Sequence, residues 1–196
     1  CKGKQGHIAY PEKAVNPVEG LIDFLGKLKS LKLDDGSEFF EPSSLNISTI
    51  DTNNEALNVI PEECRANFNV RFNDQHSSSS LVKKLEMLIS DYNEGSNATL
   101  EMNYKCSGES FLTEPGRLSD LLTTSIKETV GINCRLSTGG GTSDARFIRD
   151  YCPVIEFGLV GDTMHQINEN TRVDDIVLLK NIYRNFLKNY NKEFLK

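Results

Sequence analysis

STGGGTSDARFIRDYCPVIEFGLVGDTMHQINE, residues 137–169, sets three glycines in a row before the polar triplet Thr142-Ser143-Asp144, then an apolar run, then a histidine in a polar loop. The runs at 133–138 and 153–159 have the length and composition of buried strands, and the stretch between them reads as a loop and a short helix over 142–149. Strand, helix and strand in alternation is α/β architecture. Glycines let backbone N–H groups come close to an anion, a helix N-terminus adds partial positive charge, and a histidine leaving the next strand reaches the same crevice. Helical patterns over 117–130 and 173–194 flank this core. Two strands make a poor sheet, so this half is expected to complete a sheet whose other strands lie elsewhere.

Toward the N-terminus the pattern changes. Residues 2–10 alternate as a strand. Asn16-Pro17 then opens a helix whose apolar positions Val18, Leu21, Ile22, Phe24, Leu25 and Leu28 recur at helical spacing. Strands follow at 44–51 and 58–72, separated by the polar turn Thr52-Asn53-Asn54-Glu55. A serine run leads into a helix over 79–92, and 98–106 supplies a fourth strand. The order βαββαβ predicts a ferredoxin-like sandwich, a four-stranded antiparallel sheet with two helices on one face. The fold class expected for the whole is therefore α+β: a ferredoxin-like domain over 1–107, then part of an α/β domain over 108–196.

Composition narrows the function. The 196 residues carry a net charge of −6 with dispersed Lys and Arg, so nothing offers a basic stripe to nucleic acid. No apolar run approaches the roughly 18 residues of a membrane span. Cys1, Cys64, Cys106, Cys134 and Cys152 form no C-x-x-C pair, which argues against a zinc ribbon or redox dithiol and for a reducing, cytoplasmic setting. CKGKQGHIAYP lacks the apolar core of a signal peptide and reads as the middle of a strand, so the sequence is expected to be a piece of a longer protein.

Each candidate residue has a plain reading beside the functional one. A glycine loop is most often a turn, yet three consecutive glycines carry an entropy cost that a mere turn does not require. His165, after an apolar strand and before Glu169, suits a metal ligand with an orienting partner, but an isolated histidine is as readily a surface residue. His7, taken alone, reads as a solvated edge-strand residue, Arg71 as a surface charge and His76 as loop. No G-x-S-x-G, P-loop or H-E-x-x-H is present.

Several segments together resemble a known family. GKQGHIAYPEKAVNP (3–17), NVIPEEC with NFNVRF (58–72), SGESFLT (107–113), STGGGTSDARFI (137–148) and EFGLVGDTMHQINE (156–169) are similar to the carboxy-terminal portion of the bacterial succinyl-diaminopimelate desuccinylases. The resemblance spans essentially the whole chain. It implies a zinc-dependent amidohydrolase of lysine and cell-wall precursor synthesis, a homodimer through a lid domain, and a dicarboxylic amino-acid substrate. Two zinc ions per subunit are implied, with cobalt an option at one site. By the same resemblance His165 ligates one metal, and His7 crosses to the partner's site to stabilise an oxyanion. Asn58 and Arg71 hold substrate carboxylates, as does Thr142 with the amides of Gly140 and Gly141. Leu57 departs from the pattern, standing where some relatives have a second Asn. The remaining metal ligands and the catalytic glutamate are expected outside this sequence, which leaves the chain inactive alone, because a catalytic zinc takes about three protein ligands. A sibling deacylase acting on acetylornithine or acylated amino acids, and a non-catalytic dimerisation module, stay open as alternatives. Dimerisation is expected at the strand edge near Leu45 to Asp51, which has little Pro or Lys protection.

Overall fold

Asn16 accepts the Val18 N–H at 3.1 Å, Pro17 presets the first turn, and helix α1 runs Pro17–Lys29 as the sequence predicts. The computed structural model describes residues 1–141 and 143–195, in two units, Cys1–Phe111 and Leu112–Lys196. In the first unit, β1 (Gly6–His7) pairs antiparallel with β3 (Val59–Ile60), and β2 (Ser44–Asp51) pairs antiparallel with β4 (Arg65–Arg71). Helix α2 (Ser78–Glu94) starts at a Ser77–Ser80 capping box.

The expected strands 2–10 and 58–72 are interrupted. Pro61 has no N–H to give a ladder, so β3 stops at Ile60 and β4 begins at Arg65. Backbone bonds nevertheless carry one course through the gap: Ile8 N–H to Asn58 O (3.1 Å), Gly3 N–H to Glu62 O (2.7 Å) and Cys64 N–H to Cys1 O (2.9 Å). The expected strand 98–106 survives only as a bridge, in which Lys2 and Thr99 exchange bonds of 2.8 Å each. The pairings order the courses as 99, then 2–8, then 59–71, then 44–51. That is the ferredoxin-like order, drawn with short ladders in place of a continuous four-stranded sheet.

Alternation decides the buried face. Leu45 and Ile47 of β2, with Ala66 and Phe68 of β4, pack against a core of Leu21, Phe24, Leu25, Leu28, Cys64, Leu85 and Leu100. Both helices therefore sit on one face, and each fully buried leucine adds about 2 kcal/mol of apolar burial. A bulge at Ser48 shifts the register between Ile47–Phe68 and Thr49–Asn67.

The second unit contains α3 (Arg117–Val130), α4 (Ala145–Ile148) and α5 (Val173–Phe194). Leu122, Ile126 and Ile182 form its core, with Cys134, Ile155 and Phe157 laid against it. The expected strands 133–138 and 153–159 do not form, and the expected helix 142–149 shrinks to one turn. Cys134, Ile155 and Phe157 still face the helices while Leu136 and Leu159 are exposed, but among the described residues no strand lies beside these runs, and an unpaired extended segment has no ladder.

A buried polar cluster that the sequence does not announce ties the loops of the first unit. Asp34, with 3% of its side chain exposed, accepts from Gly36 N–H (2.8 Å), Ser43 N–H (3.0 Å) and Asn73 Nδ2 (2.7 Å). Its second oxygen lies 3.1 Å from His76 Nε2, so His76, 16% exposed, is not the plain loop residue its sequence setting suggests. Gly36 holds φ +85°, and a Cβ there would meet Phe40 O at 2.8 Å. Burial pushes the Asp34 carboxyl pKa up, but the bonds from Ser43, Gly36 and Asn73 outweigh it and hold the group well below the usual carboxylate range. A depressed folded-state pKa gives stability that is complete above the unfolded value of about 4 and declines as pH falls below it. Asp34→Ala orphans three buried donors and is expected to cost at least about 3 kcal/mol. The denaturation midpoints of wild type and variant should converge as pH is lowered from about 5 toward 2. A constant gap would contradict this account.

Candidate functional site

His7 closes β1 opposite Val59, and the next residue's amide bonds the Asn58 carbonyl, so two sequence-read candidates are brought together at one end of the sheet. Asn54 holds the adjoining loop by donating from Nδ2 to Val59 O (3.0 Å) and Ala56 O (3.3 Å). The His7 ring is exposed, and its Nδ1 accepts the Ala9 N–H at 3.1 Å. A nitrogen that accepts carries no proton, so the neutral ring keeps its hydrogen on Nε2, which is left as the donor. Tyr10 meets the imidazole edge-on at 5.8 Å between centroids, and Lys13 Nζ sits 4.7 Å over the Tyr10 ring. This end of the sheet therefore presents a hydrogen-bond donor, a phenol and a cation, a set suited to an anion or a developing oxyanion.

Arg71 lies elsewhere. It ends β4 opposite Ser44, and the course 58–71 runs continuously away from His7 and Asn58, which places Arg71 at the opposite end of the same strand course. A single small ligand cannot touch both ends in one copy, since each extended residue advances about 3.3 Å.

In the second unit, Gly139 N–H bonds Ser137 Oγ (3.0 Å), and Gly140 adopts φ +121°, a conformation open to glycine alone. A Cβ at Gly140 or Gly141 would meet nothing within 4 Å, so these glycines are set by backbone conformation and openness rather than packing. Thr142 lies outside the described residues. The triplet does not cap the following turn by a side chain of Asp144; instead Ser143 Oγ accepts from Ala145 N–H at 3.0 Å. His165 takes a left-handed φ of +61°, with its N–H bonded to Glu169 Oε2 at 3.3 Å, and Asn168 is left-handed too, at +65°. Such geometry in non-glycine residues costs on the order of 1 kcal/mol each and concentrates at functional sites. The Glu169 contact is to the backbone, not to the imidazole.

Metal binding needs more than this chain assembles. Among the described residues no three His, Cys, Asp or Glu side chains gather to hold an ion, so this chain's residues do not by themselves fit a zinc centre. Sequence reasoning missed the Asp34, Asn73 and His76 cluster. Its one legible sign was Asp34-x-Gly36, an Asx-turn spacing, whereas the burial of Asn73 leaves no local trace.

Comparison with known proteins finds a family model, curated relatives and solved structures to which this chain is similar. The family model described as the peptidase dimerisation domain, M20, matches residues 1–97. The succinyl-diaminopimelate desuccinylase of Roseobacter denitrificans is 50% identical over 188 residues, covering 96% of this chain and 49% of the relative. That of Ehrlichia canis is 46% identical over 190 residues, covering 97% and 49%. The chain thus spans about half the length of the curated relatives it matches. Among solved structures, aminopeptidase PepT of Bacillus cereus superposes with a TM-score of 0.69 at 16% identity, covering 96% of this chain and 49% of that one. A metallo-carboxypeptidase of the M20 family from Sulfolobus solfataricus gives 0.60 at 14% identity, covering 95% and 55%. At such identities the structural likeness speaks for fold alone.

The tautomer of His7 is directly measurable. Imidazole nitrogen NMR on this chain with the ring neutral should show a protonated Nε2 and a bare, hydrogen-bonded Nδ1. A dominant Nδ1–H form would contradict the Ala9 contact.

Proposed function

Residues 1–97 belong to the M20 peptidase dimerisation domain family, and from that premise we propose that the chain is the lid and a portion of the catalytic domain of a succinyl-diaminopimelate desuccinylase. The whole enzyme hydrolyses the succinyl amide of N-succinyl-LL-2,6-diaminopimelate, releasing succinate and diaminopimelate for lysine and cell-wall synthesis in the cytoplasm. The single observation that carries this is 50% identity to a desuccinylase over 96% of the chain. No helix among the described residues is long and apolar enough to cross a membrane. In this reading residues 1–107 are the lid and residues 108–196 the catalytic portion.

Bound metal, two zinc ions per subunit with cobalt an option at one, would supply the Lewis acidity of the reaction. His165 is the ligand this chain offers by resemblance, and one imidazole does not hold such an ion alone. The chain's other residues have tasks of their own. The Nε2–H of His7 donates to the oxygen that gains charge as the amide carbon becomes tetrahedral, a contact worth several kcal/mol in a dry site. Asn58, next to it, hydrogen-bonds a substrate carboxylate. Arg71 makes a planar, two-point contact with a carboxylate. Gly140 and Gly141 offer backbone amides to the same class of group, with Thr142 beside them.

Separation along the 58–71 course adds a constraint. If a site in a homodimer takes His7 and Asn58 from one copy, Arg71 of that copy is too far along the course to serve the same site as well, and the Arg71 of that site comes from the other copy. In the whole enzyme His7→Ala should lower kcat by roughly 100-fold with metal content unchanged, because its contact is with charge and not with metal. Mixing the impaired His7→Ala and Arg71→Ala subunits should raise activity to about half that of the wild type per mixed dimer, since one site then holds both native residues. No recovery on mixing would show that each site takes both residues from one copy and would reject the separation. His165→Ala should remove about one metal per subunit and nearly all activity; unchanged metal content by atomic absorption would reject it as a ligand.

A further inference from the structure

Arg71 is the last residue of β4 and pairs with Ser44, the first of β2, at the end of a ladder. Ladder ends ordinarily fray. Here the exposed last pair is followed on both strands by segments that are tied down. Ser43, just before β2, gives its N–H to Asp34 Oδ1 at 3.0 Å, and Asn73, just after β4, gives Nδ2 to the same oxygen at 2.7 Å. Asn73 also donates its N–H to Ser43 Oγ (3.1 Å) and Nδ2 to Glu41 O (3.2 Å), and its Oδ1 receives Gln75 N–H at 3.0 Å. The two chains that leave the Ser44–Arg71 pair are thus knotted to one buried oxygen atom.

We propose that Asp34 is a positioning residue for Arg71: through Ser43 and Asn73 it fixes the strand end from which the guanidinium meets a substrate carboxylate. The proposal rests on the reading of Arg71 given above. Three properties fit Asp34 to the task. It is buried, so its bonds are not diluted by water; it accepts from segments on both sides of the ladder; and its second oxygen faces His76 Nε2, whose backbone N–H closes the 73–76 turn on Asn73 O at 3.3 Å. Charge-assisted acceptance by one oxygen from three donors is stronger than the neutral bonds of an ordinary turn. The carboxylate therefore holds the last pair in register without touching substrate, and Gly36, whose N–H is the third donor, holds the carboxylate.

Asp34→Asn keeps an acceptor oxygen and removes the charge. In the whole enzyme, with N-succinyl-diaminopimelate as substrate, we expect its KM to rise about tenfold with kcat within about twofold, the signature of lost binding that is equal in ground and transition states. In an Arg71→Ala background the same substitution should add almost nothing, because there is no guanidinium left to place. Should Asp34→Asn fail to fold, Asn73→Ser loosens the same knot, and the same KM-against-kcat split is expected in smaller measure. The proposal is overturned if folded Asp34→Asn leaves KM unchanged while Arg71→Ala raises it, or if Asp34→Asn keeps its full effect without Arg71. If Arg71→Ala itself leaves KM unchanged, the carboxylate-binding reading of Arg71 falls, and the positioning role falls with it.

Discussion

One course of chain, residues 58–71, holds the first unit together by backbone hydrogen bonds. Its first half pairs with the N-terminal residues and its second half with β2, so two ladders share a single central strand. Pro61 forces a break in the middle, and the break is bridged by Gly3 N–H to Glu62 O and Cys64 N–H to Cys1 O. The side-chain core depends on this continuity. Cys64 and Ala66 point toward α1 and α2 only because the alternation survives the interruption, and a one-residue slip would turn the apolar set outward.

Local chemistry made the helices legible. Asn16-Pro17 opens α1, the serine run caps α2, and Gly131 ends α3 with a left-handed residue that closes on Lys127 O. β2 was readable to the residue, because one face of Leu45 and Ile47 alternates cleanly with Asn46 and Ser48. Runs 133–138 and 153–159 were read as strands and are not strands of this structure, although Cys134, Ile155 and Phe157 lie against the helix pair. Whether an apolar run becomes a strand depends on a neighbour to bond with, and that information lies outside the run. The same limit explains Asp34, whose partners Ser43 and Asn73 come from distant positions of the chain that only the folded sheet brings together.

Of the site, residue types were legible and their grouping was not. GKQGH and NVIP announced His7 and Asn58 separately, and only the β1–β3 pairing sets them side by side. Arg71 shares its proposed carboxylate role with Asn58, whereas the fold carries it to the other end of the strand course. His165 was read from its loop and neighbours, but its left-handed backbone was not, since Asn and His enter that region more often than most residues yet only in a minority of their positions. The glycine loop is the converse: its composition foretold freedom, and Gly140 uses it.

The two margins of the first unit differ. On the β2 side a seven-pair ladder leaves a long outer row of donors and acceptors, bent by the bulge at Ser48. On the far side residues 98–106 contribute a single bridge at Thr99 and then leave regular structure. Head-to-tail growth of sheets needs two competent margins, one to receive and one to offer. With its only regular margin on the β2 side, the first unit has one row of backbone groups from which a sheet could be continued and, beyond Thr99, none on the other.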